Sequence, residues 1–288
     1  MLAIDLAPLP PNLLVGTSSF SSDDWRGSFY PPDLASGDYL AWYARTFRTV
    51  EIDATWYALP ARGTVESWAR KVPAGFVFSL KVPKRITHEL YLENCRAEWQ
   101  AFLERLDPLG PARGPLLFQF PYVAKGVDPE EYETGHEFRR RLAAFLPLVP
   151  AGGQYVVEVR NAKWVAQPLI DLLRIHGVAL AFSAYYTMPG PRQLFRDFDP
   201  ITAPFSYIRL LGNHRQMDKL VRAARDAGTR QKDWGEVLVD RERETRDWVE
   251  MGRRLIERQD NVYAYFNNHF AGFAPGSVEL FVRLWAGR

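Results

Sequence analysis

Apolar and polar positions follow one another along this chain in two distinct rhythms. Short runs rich in β-branched and aromatic residues recur from end to end: NLLVGTSSF, TVEIDAT, FVFSLKVP, PLLFQFP, QYVVEVR, VALAFSA, FSYIRLLG and NVYAYFNN. Each reads as a strand, because such residues fit a pleated, buried surface. The segments between them include GTVESWARKV, AEWQAFLERL, QPLIDLLRIHG and TRDWVEMGRRLIER. These space their apolar residues three and four apart, the period of a helix with one face packed inward. Eight strands alternating with helices predict an α/β fold of the (β/α)8 TIM-barrel type. An open, doubly wound sheet is the competing architecture, but no strand is followed by a GxGxxG or phosphate-loop sequence. Barrels of this kind commonly run to about 250 residues, so the chain is read as one domain, 1–288. Three longer stretches interrupt the rhythm, at about 84–95, 185–204 and 212–239. All follow the C-terminal end of a strand, where barrel enzymes build their sites.

Within a barrel strand, one parity faces the helices and the other faces the lumen. The second strand alternates Val50, Ile52 and Ala54 with Glu51, Asp53 and Thr55, which sets the acids on the lumen side. The same parity holds Ser79 and Lys81 in the third strand, Gln119 in the fourth, and Glu158 and Arg160 in the fifth. It holds Ser183 in the sixth and Tyr207 and Arg209 in the seventh, while Asn267 and Asn268 end the eighth. Polar groups therefore gather toward the strand ends. Parity predicts that Glu51, Asp53, Glu158, Lys81, Arg160 and Arg209 meet at the mouth of the barrel.

Composition mainly excludes. A net charge of +2 provides no global attraction to nucleic acid or an anionic membrane, so such binding would need a local patch. The single cysteine, Cys95, cannot form an internal disulfide or a CxxC zinc site, which suits a reducing compartment. The N-terminal segment lacks the basic and apolar regions of a signal peptide, and no run of about 18 apolar residues occurs. The expectation is a cytoplasmic protein with no membrane partner.

Three acids facing three cations admit two readings. One is a network of buried ion pairs that fills the barrel with satisfied polar groups. The other is a site where cations hold an anionic group and crowded carboxylates, their pKa values split, move protons. On the second reading Glu51, Glu158 and Lys81 are the catalytic candidates, with an imine-forming role for Lys81 as an alternative. Arg160, Arg209, Gln119 and Asn267 are the substrate-binding candidates, joined by Trp56 and Tyr57 on a rim where Trp25, Trp164 and Trp234 are also expected. His88, His214 and His269 each lie just past a strand, but no HxH or HExxH pairing occurs. No metal ligand is assigned, the cofactor stays unknown, and a divalent metal is the less favoured alternative. Arg215, Lys219, Arg222, Arg225, Arg230 and Lys232 outnumber Asp218 and Asp226 in the last long stretch. That pattern suits a phosphate backbone, although a solvated helix is its ordinary meaning.

Several segments, taken in order, resemble the domain-of-unknown-function family 72, the YecE-like proteins. They are VGTSSFSSDDWRGSFYP, TVEIDATWYALP, FVFSLKVPKRITH, GPLLFQFP, VVEVRNAKW and VYAYFNNHFAGFAP. The resemblance covers nearly the whole chain and implies a (β/α)8 barrel, but it brings no established reaction. By match to these motifs, Glu51, Lys81, Gln119, Glu158, Arg160, Arg209 and Asn267 fall at positions of the family pattern. GFAPGSVELF lacks the asparagine-alanine pair common near the last helix, and three single positions also depart from the pattern. Asp53 stands where the family usually has asparagine, Leu211 where histidine is frequent, and His269 where an acid often follows the paired asparagines. A metal scheme through a strand-seven histidine therefore fails here unless His214 substitutes. The resulting expectation is an enzyme acting on a small phosphorylated or polyanionic substrate, nucleic acid included, by hydrolytic phosphoester chemistry. The alternatives are a non-catalytic nucleic-acid-binding protein, and a sugar-type isomerase or lyase using Glu51 and Glu158 for proton transfer.

Overall fold

The computed structural model of the chain describes every residue except Asp197 and Arg230. Arg230, named above among the basic residues, thus lies outside the described residues. The strands are β1 (Leu13–Thr17), β2 (Thr49–Ile52), β3 (Val77–Lys81), β4 (Arg113–Gln119), β5 (Tyr155–Glu158), β6 (Ala179–Tyr185), β7 (Phe205–Gly212) and β8 (Asn261–Phe266). They pair in parallel in the order β1-β8-β7-β6-β5-β4-β3-β2. Helices surround this sheet as a (β/α)8 barrel. Helix Arg96–Leu106 shows why: Trp99, Phe102 and Leu106 share one buried face, and Trp99 packs 5.3 Å from Phe118 of β4. Among the described residues, the β6-to-β7 crossover has only the one-turn helix Pro191–Leu194. Two helices, His214–Asp226 and Glu242–Ile256, follow β7.

The barrel closes where β1 meets β2, the two ends of the pairing order. Tyr43 bridges this seam with its hydroxyl. The Thr17 backbone N–H donates to it at 2.9 Å, and it donates to the Thr49 carbonyl at 3.1 Å. Gly16 is needed here because a Cβ would lie 2.3 Å from the Thr49 carbonyl oxygen.

The lumen changes character along its axis. Leu14, Leu117, Val156, Ala181 and Phe205 form an apolar floor with Tyr207, Tyr263 and Tyr265. Above it the tyrosine hydroxyls find partners: Tyr265 with Thr49 at 2.6 Å, and Tyr207 with Ser79 at 2.6 Å. Tyr207 also donates to Glu51 at 2.7 Å, which couples this layer to the charged groups at the mouth.

One boundary differs from the alternation. β2 ends at Ile52 and the chain turns into a single helical turn, Ala54–Tyr57. Thr55 does not continue the lumen parity. Its hydroxyl donates to the carbonyls of Ile52 at 3.0 Å and Lys81 at 2.6 Å, satisfying the ends of two neighbouring strands. Among the described residues, no helix is long and apolar enough to cross a membrane.

Candidate active site

Arg209 of β7 stands at the centre of the mouth, 1% exposed. Its Nε and Nη2 donate to the two oxygens of Glu51, at 2.8 and 2.6 Å, in a bidentate pair. Its Nη1 donates to Glu158 at 2.5 Å, and its Nη2 also reaches Asp53 at 3.3 Å. The other Glu158 oxygen lies 2.8 Å from Arg160 Nη2. The Coulomb attraction exceeds the cost of burying these charges. Burial alone would raise Glu158, but Arg160 and Arg209 hold it below the usual carboxylate range. The Arg209 guanidinium, penalised by its own burial, is held well above its ordinary value by Glu158, Glu51 and Asp53. Sequence parity thus brings Glu51, Glu158 and Arg209 together, but their relation differs from the one expected. Arg209 is occupied by carboxylates, so it has little left for a substrate anion.

The remaining charges form two wings. On one side the Lys81 ammonium lies 4.8 Å from the Trp56 ring centre, and His88 meets the same ring edge-on at 5.0 Å. On the other side the Arg160 guanidinium lies 3.9 Å from the Tyr185 ring centre, and His214 meets that ring edge-on at 5.9 Å. Each cation is held over an aromatic face. Burial lowers the pKa of the Lys81 ammonium, with Asp53 opposing the shift from 4.0 Å. Burial and the charges of Lys81 and Arg160 push His88 down to about 4. Burial, His269 and the two arginines push His214 down to about 3. Both imidazoles are neutral at physiological pH.

Asp53 differs from the two glutamates. It keeps 28% of its side chain exposed, whereas Glu51 and Glu158 are fully buried. Burial of the carboxyl and the charge of Glu51 push it up to about 6, against the pull of Arg209 and Lys81. A carboxyl with that value exchanges protons near neutrality.

Hydrogen bonding at the mouth is incomplete. Ser18 Oγ, Trp56 Nε1, Arg160 Nη1, Ser183 Oγ and His214 Nε2 are buried with no hydrogen-bond partner. An unpaired buried polar group costs about 1–3 kcal/mol, so such a cluster marks a place where a ligand or water belongs. A cavity of about 310 Å³ adjoins it, sharing Ser183 and Tyr185 and reaching Met188, Gln216 and Trp248.

Other expected groups make their contacts elsewhere or are exposed. Asn267 caps the turn Asn268–Ala271, accepting from the His269 backbone N–H at 3.0 Å. The Gln119 amide donates to the adjacent Phe120 carbonyl. Tyr57 is 70% exposed. Trp25 and Trp164 are core residues and not rim ones: the Trp164 indole donates to the Glu131 carbonyl at 2.8 Å, and that of Trp25 to Asn268 at 3.3 Å. Of the three loop histidines, His214 and His269 stack at 4.2 Å while His88 sits with Trp56. Gly212 permits the stacking, because a Cβ there would lie 2.3 Å from the His269 carbonyl oxygen. Among the described residues no set of three or more His, Cys, Asp or Glu side chains is placed to hold a metal ion. The stretch carrying His88 returns through Tyr91, Leu92 and Asn94, all with positive φ, a strained path often found at functional sites.

A parallel eight-stranded barrel with its charged groups at the strand C-termini places this chain among the TIM-barrel proteins. Within that class it belongs to the family described as "Protein of unknown function DUF72", whose model matches residues 14–288. It is similar to UPF0759 protein YecE of Escherichia coli (strain K12), 34% identical over 125 residues, 43% of this chain and 42% of the relative. It is also similar to UPF0759 protein YunF of Bacillus subtilis (strain 168), 32% identical over 116 residues, 38% of this chain and 40% of the relative. Each match spans about two-fifths of the relative's length. Among solved structures, a DUF72 family protein from Thermotoga maritima matches with a TM-score of 0.73 at 24% identity, covering 94% of this chain and 98% of that one. One from Enterococcus faecalis matches at 0.69 and 21%, covering 96% of each. These likenesses concern the fold.

Proposed function

We propose that the chain is an enzyme that binds a phosphorylated substrate in the barrel mouth and hydrolyses its phosphoester bond. The observation that carries this reading is the unequal use of the cations. Arg209 is consumed by Glu51 and Glu158, whereas Arg160 keeps a buried, unpartnered Nη1 and Lys81 has only a 4.0 Å contact. Donors fixed in place and lacking partners suit the oxygens of a phosphoryl group. The adjoining cavity has room for the organic part of the substrate.

On this reading proton transfer belongs to Asp53 in place of Glu51 and Glu158. A protonated Asp53 donates to the departing oxygen as the P–O bond breaks. Water adds to phosphorus, and both its protons leave with the inorganic phosphate. The ionised Asp53 then regains a proton from solvent through its exposed edge. A general acid of this kind is worth about 10²–10⁴ in rate. The sugar-type isomerase reading has less support, because Glu51 and Glu158 are both tied to Arg209.

The test is a phosphoester panel, run with and without added divalent cations, on wild type and Asp53→Asn. The variant should lose about 10²–10⁴ in kcat on alkyl phosphates and much less on nitrophenyl phosphates, whose leaving group needs no proton. Wild type that turns over no phosphoester would sink the proposal. A second reading, nucleic-acid binding, draws on Arg215, Lys219 and Arg222, which are exposed at helical spacing on the helix that starts beside the mouth. Binding without turnover, falling steeply with salt, would favour it.

A further inference from the structure

We infer that the mouth takes up an oxyanion together with one proton, and that Asp53 carries the proton. This rests on the anion-binding part of the function proposed above and adds a stoichiometry that the proposal alone does not require.

The inference follows from charge balance. Glu51, Asp53 and Glu158 face Lys81, Arg160 and Arg209, so with all six ionised the set is neutral. Five of the six side chains are buried or nearly so, which makes an uncompensated charge expensive. An anion seated on Lys81 and Arg160 leaves the set one or more charges negative. One proton taken up restores a full unit.

Geometry selects where that proton goes. Glu51 accepts from Arg209 twice and from Tyr207 once, so protonating it would break a bidentate pair. Glu158 is fully buried between Arg209 and Arg160. Asp53 has only the longer contacts, 3.3 Å to Arg209 and 4.0 Å to Lys81, and an edge open to solvent. The charged groups around it are Glu51 on its own strand end, Lys81 from β3, Glu158 and Arg160 from the end of β5, and Arg209 from β7. An anion on Lys81 and Arg160 offsets the attraction of Lys81 for ionised Asp53 and adds a repulsion of its own. Each change drives its carboxyl toward the protonated form. A protonated Asp53 can then donate to an anion oxygen, which an ionised one would repel.

The experiment is calorimetry with sulfate, an anion that does not itself titrate between pH 5 and 8. Titrations at pH 7 in two buffers of different protonation enthalpy give the protons taken up per sulfate. Wild type should take up about half to one proton, and its affinity should fall by up to about tenfold per pH unit above pH 6. Asp53→Asn should bind sulfate with no proton uptake and little dependence on pH. Sulfate binding without uptake in wild type overturns the inference and leaves the proposed function standing. Uptake that persists in Asp53→Asn also overturns it, since another group would then carry the proton. Absence of binding at every pH from 5 to 8 overturns both.

Discussion

Replacing Arg209 by methionine keeps an unbranched stem and removes the charged guanidinium at the centre of the mouth. Four contacts disappear: two to Glu51, one to Glu158 and one to Asp53. Fully buried Glu51 is left without its counter-ion, and fully buried Glu158 keeps only Arg160. Breaking a buried pair from one side costs about 3–5 kcal/mol, because the remaining charge has neither water nor a counter-ion. With a urea m-value of about 3 kcal/mol per molar for a chain of this size, the midpoint should fall by about 1–1.7 M. The effect should depend on pH. Burial opposes it, yet Arg160 and Arg209 hold Glu158 below the usual range. A carboxylate held low stabilises the fold above its unfolded pKa, and that contribution is lost as pH falls through the folded value. The gap between the two proteins should be widest near pH 7–8 and narrow as pH drops below about 4. Adding Glu51→Gln to the variant should restore a large part of the loss, since Glu158 keeps Arg160 and no buried glutamate then lacks a counter-ion. A midpoint shift under about 0.3 M, or one that is the same at every pH, would refute the assignment of Arg209 as the counter-ion of both glutamates.

Three further outcomes are expected. Asp53→Asn should stabilise the protein by about 1–2 kcal/mol above pH 6: a folded pKa of about 6 against 3.8 means that wild type loses stability as pH rises from about 4 to 6, and the advantage should be absent below pH 4 in parallel urea melts. Tyr43→Phe should cost about 2 kcal/mol in the same assay, because the Thr17 N–H and Thr49 carbonyl at the seam lose their bridge; a neutral result would mean that the strands re-pair directly. The ring protons of His88 and His214 should show no titration between pH 5 and 8 by NMR, given values of about 4 and 3; a midpoint near 6.5 for either would place that ring away from the buried cations.

What the sequence made legible was decided by periodicity. Side chains alternate at period two in any strand, so Glu51, Lys81, Glu158 and Arg209 could be assigned to the lumen before their distances were known. The end of β2 was not legible, because Asp53–Tyr57 continues the alternation while one helical turn competes for it. The Thr55 hydroxyl decides the matter by bonding two strand-end carbonyls, a tertiary contact that no local pattern reports. The tryptophans misled for a related reason. Trp25 and Trp164 follow strands, but short helical turns fold them inward, where Trp164 stacks on Phe138 at 4.9 Å. Pairing among the charges was beyond the sequence. Three acids and three cations on one parity allow many partitions, and only geometry shows that Arg209 takes two glutamates and leaves Asp53 the adjustable one.

The separation of a structural centre from a working rim is tested most directly by a crystal of the protein soaked in tungstate near pH 6, a tetrahedral oxyanion visible by its anomalous signal. The predicted result is one strong peak in the mouth, within hydrogen-bond distance of Arg160 Nη1 and Lys81 Nζ, with Arg209 still held between Glu51 and Glu158. The contradicting result is water alone in the mouth, with Lys81 and Arg160 turned fully onto the three acids. The barrel mouth would then be a closed ion-pair network, with no free donors for a phosphoryl group.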